Sequence, residues 1–166
     1  EAETLPARRK VVLDFLCKQD SEMWKTLRIP SELSSDEDFI RELSRANPTG
    51  LAYASPSLRA SEEVVLEAVK SNGLALEYAL GDLKRNRELV GEAVRNNGLA
   101  IQHADESVKK DRGICLAAVN QNGLALRFAP EHIRRDSEVV FSAVSQNNMA
   151  LQYADRAVAI EAIRRR

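Results

Sequence analysis

An all-α, solenoid-like stack of about five 25-residue helical repeats is the fold class the sequence predicts, on three observations. Asn72-Gly73-Leu74-Ala75-Leu76 returns as Asn97-Gly98-Leu99-Ala100-Ile101, as Asn122-Gly123-Leu124-Ala125-Leu126 and, altered, as Asn147-Asn148-Met149-Ala150-Leu151, each 25 residues after the last. Leu33, Leu58, Leu83, Val108, Ile133 and Val158 form an apolar column in the same register. Val64, Val65, Ala68 and Val69, spaced i, i+1, i+4, i+5, recur as Leu89, Val90, Ala93, Val94, then Ile114, Cys115, Ala118, Val119, then Val139, Val140, Ala143, Val144, the stripe of an amphipathic helix. A fixed period of this length marks stacked units that bury their apolar faces against one another.

In chain order, residues 1–22 read as an N-terminal capping helix. After Pro6, Val11, Val12, Phe15 and Leu16 supply an apolar face. Residues 23–166 form the repeat domain, with units of approximately 36–60, 61–85, 86–110, 111–135 and 136–160. The first and last units are degraded, as terminal repeats with one neighbour tend to be.

Each unit opens on a residue able to cap a helix: Asp36, Ser61, Asn86, Asp111 or Asp136. Such side chains accept hydrogen bonds from free first-turn amides, and Glu37, Glu63, Glu88 and Glu138 place negative charge at the positive end of the helix dipole. A first helix of about three turns follows. The Asn-Gly step after it could be a hairpin turn. The first copy argues otherwise, because Pro48 stands where Gly73 does and cannot take a positive φ, yet suits the start of a helix. Asn47, Asn72, Asn97, Asn122 and Asn147 therefore cap a second helix of about two turns. Ser55-Pro56-Ser57-Leu58 and Asp105-Glu106-Ser107-Val108 read as a third short helical turn, which Pro130 opens in its own unit. Alanines at 68, 93, 118 and 143, and at 79, 104, 129 and 154, let adjacent units approach closely.

The pattern of capping residue, Glu, apolar pair, Ala-Val, Asn-Gly-Leu-Ala-Leu and aromatic-Ala resembles a helical-repeat family catalogued as domain of unknown function number 4116. Residues 61 to 155 match its pattern closely and residues 36 to 60 loosely. The resemblance implies an all-helical repeat module and brings no catalytic residue with it. Family members occur in algae, dinoflagellates and other unicellular eukaryotes, and among secreted effectors of intracellular bacteria.

Composition agrees with one body. Hydrophobic residues make up 44% and charged residues 30% of 166, with a formal net charge of −1, so no global attraction to nucleic acid follows. No apolar run is long enough to cross a membrane. Two cysteines, Cys17 and Cys115, are too few for a disulfide framework or a zinc site, and a reducing compartment is expected, cytoplasmic or organellar, after removal of any targeting segment. Cys115 falls on the column of Val65, Val90 and Val140 and reads as a small core residue.

Catalytic chemistry finds no footing. His103 occupies the aromatic column of Tyr53, Tyr78, Phe128 and Tyr153, and reads as a stand-in for an aromatic ring. His132 lies in a polar connector with no second ligand nearby. No phosphate loop, Ser-His-Asp set or Cys-His pair can be assembled. The expectation is a non-enzyme with no cofactor and no metal.

Two features remain as candidate binding elements. Arg59, Lys84, Arg85, Lys109, Lys110, Arg134 and Arg135 share one register and would form a basic ladder able to hold phosphates, an anionic surface or an acidic protein strip. The same cations could simply close helix ends and keep the edge soluble. Phe15 and Trp24 could be docking anchors, since aromatic anchors dominate interfaces. The columns Glu67, Glu92, Ala117, Ser142 and Glu77, Gln102, Arg127, Gln152 would be exposed and variable.

The expected function is therefore a non-catalytic protein–protein interaction module, a scaffold or accessory subunit of a larger assembly. The alternatives are a regulator or inhibitor docking on an enzyme, an accessory subunit of an organellar (algal photosynthetic) complex, and a binder of anionic partners through the ladder. The partner is another protein; nucleic acid is disfavoured, because the aromatics fall in core columns, and contact with a membrane surface stays open.

Overall fold

The computed structural model describes residues 5–17 and 29–165. Among them there is no strand. A terminal helix α1 (Leu5–Cys17) and a short turn α2 (Ser31–Ser34) precede the repeats. The first helices of the units are α3 (Glu37–Ala46), α5 (Glu62–Ser71), α6 (Arg87–Asn96), α8 (Arg112–Gln121) and α10 (Ser137–Gln146). Each is followed by a 3-10 helix: Gly50–Tyr53, Gly73–Tyr78, Gly98–His103, Gly123–Phe128 and Asn148–Tyr153. The connectors are α4 (Pro56–Arg59), the 3-10 turn Gly81–Arg85, α7 (Glu106–Lys109) and α9 (Glu131–Arg134), and the last is absorbed into α11 (Arg156–Arg164).

The first helices pack side by side in chain order, and the 3-10 helices stack in a second row beside them. The second helix has its two turns, but in 3-10 rather than α form. Three residues per turn put Gly73, Leu76 and Ala79 on one side, and Gly73, Leu76 and Ala79 are buried. The core follows the predicted columns: Val65, Val90, Cys115 and Val140 are all fully buried, as are Leu76 and Leu126. Burial pushes the Cys115 thiol up to about 11.

The Asn-Gly step is not a hairpin turn. Asn72 is extended (φ −149°, ψ 110°), and among the described glycines only Gly81 has positive φ, at 64°. The side chains of Asn72, Asn97, Asn122 and Asn147 accept from the amides of Leu74, Leu99, Leu124 and Met149, as the sequence predicts. Asn47 does the same for Thr49 at 2.9 Å. Asp36, Asn86, Asp111 and Asp136 cap the first helices. Ser61 is the exception: it stands at the N-cap, but its side chain accepts no cap hydrogen bond, leaving Glu62 and Glu63 to oppose the dipole.

Glycine at 73, 98 and 123 answers to close approach. A Cβ at Gly73 would overlap the carbonyl oxygen of Ala93, one at Gly98 that of Ala118, and one at Gly123 that of Ala143, each in the following unit. The same approach builds an amide lock. The Gly73 amide donates to Asn96 Oδ1 at 2.7 Å, while Asn96 Nδ2 donates to the Lys70 carbonyl at 2.9 Å. Gln121 repeats this with Gly98 (2.6 Å) and the Asn96 carbonyl (3.2 Å), and Gln146 with Gly123 (2.5 Å) and the Gln121 carbonyl (3.5 Å).

Two further kinds of link recur between units. Backbone bonds run from Ser55 to the Ser34 carbonyl, Leu80 to Arg59, Asp105 to Lys84 and Asp155 to Arg134, at 2.7–3.0 Å. Pro130 has no amide to give in this series, and the Lys109 carbonyl accepts from Cys115 Sγ at 3.0 Å instead. On the outer helices, Arg41 pairs with Glu63 (2.8 Å) and Glu67 (3.3 Å), Arg87 with Asp111 (2.6 Å), and Arg112 with Asp136 (2.8 Å).

Helix α1 closes the first unit by packing on α3. Leu16 is fully buried, its carbonyl accepts from Asn47 Nδ2 at 2.7 Å, and Val12 and Leu13 lean on the core. Of the apolar face read from the sequence, Val11 and Phe15 are exposed, so Phe15 takes no part in the cap. The inward side is made by Val12 and Leu16, as read, with Leu13 added.

Candidate interaction surfaces

The ladder is not one continuous edge; it separates into two sets. Arg59, Lys84, Lys109 and Arg134 fold inward on the connectors, and Lys109 is only 9% exposed. Lys84 Nζ donates to the Glu77 carbonyl at 2.7 Å, closing the 3-10 helix Gly73–Tyr78, and Lys109 Nζ pairs with Glu106 at 2.8 Å. Burial lowers the Lys84 pKa; Glu77 opposes this and the charge of Arg59 adds to it. The Nε atoms of Arg59 and Arg134 are buried without a partner.

Arg85, Lys110 and Arg135 face outward. Arg85 is held by Asp82 (3.4 Å) and Asp105 (3.3 Å), and Arg135 by Glu131 (2.6 Å) and Asp155 (3.4 Å). Asp105 and Asp155 cap the next connector along, so these two boundaries bring a carboxylate onto the cation, whereas Pro130 holds that place opposite Lys110. Hydrogen bonds from the hydroxyl and amide of Ser107, with Arg85 behind them, hold Asp105 down to about 2. Lys110 is the one outward member of the ladder with no ion partner among the described residues. With four of its seven cations turned inward and two of the three outward ones paired to carboxylates, the ladder has little free charge left to release counterions from phosphates.

Of the two variable columns, the first is not free. Glu67 is half-buried and paired with Arg41 and Arg45, Glu92 with Arg95, and Ser142 Oγ bonds Asn120 at 2.8 Å. The second, Glu77, Gln102, Arg127 and Gln152, is exposed throughout. His103 sits half-buried in the aromatic column; burial lowers its pKa, with Lys84 and Lys109 adding to this and Glu77 opposing. His132 is exposed, its Nε2 3.5 Å from the Lys110 carbonyl.

The exposed large apolar side chains gather at the two ends of the stack. At the N-terminal end they are Val11 and Phe15, the latter 44% exposed; Trp24 lies outside the described residues. At the C-terminal end they are Met149 (63%), Ile160 and Ile163 (59%). Sequence reasoning missed this second cluster, although Arg156, Ile160, Ile163 and Arg164 at i, i+4, i+7, i+8 are a legible one-sided helical stripe.

Among the described residues no three His, Cys, Asp or Glu side chains converge as a metal site, and no helix is long and apolar enough to cross a membrane. What the arrangement does is hold side chains of equal register at fixed spacing along a stack, with apolar ends.

The model of the family described as Domain of unknown function (DUF4116) matches residues 36–84, 61–109, 86–134 and 111–157. Each match spans two consecutive units, and together they cover every unit of the stack. No curated protein and no solved structure matches the chain. The chain belongs to the DUF4116 family of helical repeats.

Proposed function

Within a family defined by its repeat alone, we propose that this chain is a non-catalytic protein–protein interaction module, a scaffold or accessory subunit. The observation that carries the reading is the division of the surface. Among the described residues the exposed large apolar side chains lie at the two ends, while Arg41, Arg85, Arg87, Arg112 and Arg135 along the flanks are tied to carboxylates of the neighbouring unit. Terminal units of a repeat stack ordinarily carry a polar outer face for solubility, and exposed apolar clusters mark association surfaces.

Photo-crosslinking tests this. A photoreactive phenylalanine analogue placed singly at Phe15, Gln102, Lys110 and Ile160, and illuminated in native extract, should give a discrete protein adduct from at least one position. The absence of an adduct from all four, or turnover of a small substrate by the purified chain, would overturn the reading.

A further inference from the structure

The C-terminal end differs from every internal boundary. Among the described residues no further first helix packs on α10. Helix α11 runs across it instead, burying Ala162 against α10 and placing Val158 on the core.

The outer side of α11 carries Arg156, Ile160, Ile163 and Arg164, all exposed and all on one stripe. The stripe is apolar in the middle and cationic at both ends. Among the described residues neither Arg156 nor Arg164 has an ion partner, in contrast to Arg41, Arg87, Arg112 and Arg165, which are all paired. On the opposite side of α11, against α10, Phe141, Val144, Ser145, Ala162 and Arg165 line a groove of about 310 Å³. Arg165 lies over the Phe141 ring at 4.5 Å as one wall.

On the interaction-module reading, we propose that this face receives an amphipathic helix of a partner protein, with an apolar ridge bordered by carboxylates. The ridge would lie on Ile160 and Ile163, and the carboxylates would meet Arg156 and Arg164. The stack already uses the same chemistry internally: each incoming first helix brings an apolar stripe and an acidic start, and Arg87 and Arg112 bind the acids. Acids on both borders of such a ridge answer two arginines that no carboxylate of the described residues holds, as those of each first helix answer Arg87 and Arg112.

The test is fluorescence anisotropy of the 166-residue chain with a synthetic helix bearing leucines at i, i+3, i+4 and i+7 and glutamates on both borders. The comparators are the same helix with lysine borders, and phosphatidylserine vesicles. The glutamate-bordered helix should bind, and Ile160→Ser with Ile163→Ser should weaken it by about tenfold or more. Arg156→Glu with Arg164→Glu should reverse the preference toward the lysine-bordered helix. Circular dichroism should show both variants folded; if the serine variant is not, the charge reversal decides alone.

Equal binding of both helices by the charge-reversed chain would overturn the proposal, as would binding of vesicles but of neither helix. Adducts from Gln102 or Lys110 with none from Ile160 would remove this face while leaving the interaction module standing. Adducts from no position would remove both.

Discussion

Gln121 Oε1 accepts the Gly98 amide at 2.6 Å across the boundary between two units, and only a residue without a Cβ can bring that amide so close. The amide lock and the glycine column are thus one device. A Cβ at Gly98 would overlap the Ala118 carbonyl and crowd Gln121 Oε1 and the Asn122 amide, each at 3.0 Å. Gly98→Ala is expected to destabilise by about 1–3 kcal/mol in urea unfolding, as overpacking does. Gly91 is the control. It lies inside α6, where a Cβ would meet only Arg95 and Ile114 atoms at 3.6 Å, so Gly91→Ala should stabilise by about 0.5–1 kcal/mol.

Acid should loosen the boundaries first. Asp105 is held down to about 2 from an ordinary 3.8, and hydrogen bonds from Arg87 and Arg112 depress Asp111 and Asp136. A depressed carboxylate contributes stability that is full above its unfolded pKa and lost as pH falls through the folded one. The loss should therefore fall between about pH 4 and 2, and Asp105→Asn should flatten that part of a stability-against-pH curve.

His103 adds an earlier step. Its folded pKa lies below the ordinary 6.5 because of burial, so on acidification the unfolded chain takes up the proton first. Stability should begin to fall below about pH 6.5. His103→Phe, matching Phe128 in the same column, should remove this component in thermal melts at successive pH values.

Cys115 should be inert in the folded chain. It is fully buried, its thiol is pushed up to about 11, and it bonds the Lys109 carbonyl, whereas thiol reactivity needs an accessible thiolate. In a Cys17→Ser background, a thiol-reactive chromophore should label Cys115 only at the rate of unfolding. Fast labelling under native conditions would contradict the burial.

The repeat made most of the fold legible. Asn72 and its equivalents cap, Val65, Val90, Cys115 and Val140 form a core column, and Leu33 to Val158 line up as read. The 3-10 form of the second helix was not legible, because Gly-Leu-Ala-Leu does not distinguish two helical pitches; packing between stacked units does. The ladder misled for a related reason. Register shows that Arg85 and Arg135 repeat, but the carboxylates that bind them, Asp105 and Asp155, belong to the next unit along. The α11 stripe was passed over because the register stops describing the chain where a single helix replaces both connector and first helix.

Every link described here joins a unit to its immediate neighbour and to nothing further away. Length is therefore a free variable of this architecture, and phase is not. Duplicating or deleting a whole 25-residue segment at an internal boundary would leave each amide facing an acceptor, whereas gaining or losing one residue would misalign the break. Evolution can tune the separation of the two apolar ends in whole steps of one repeat, without redesigning either end.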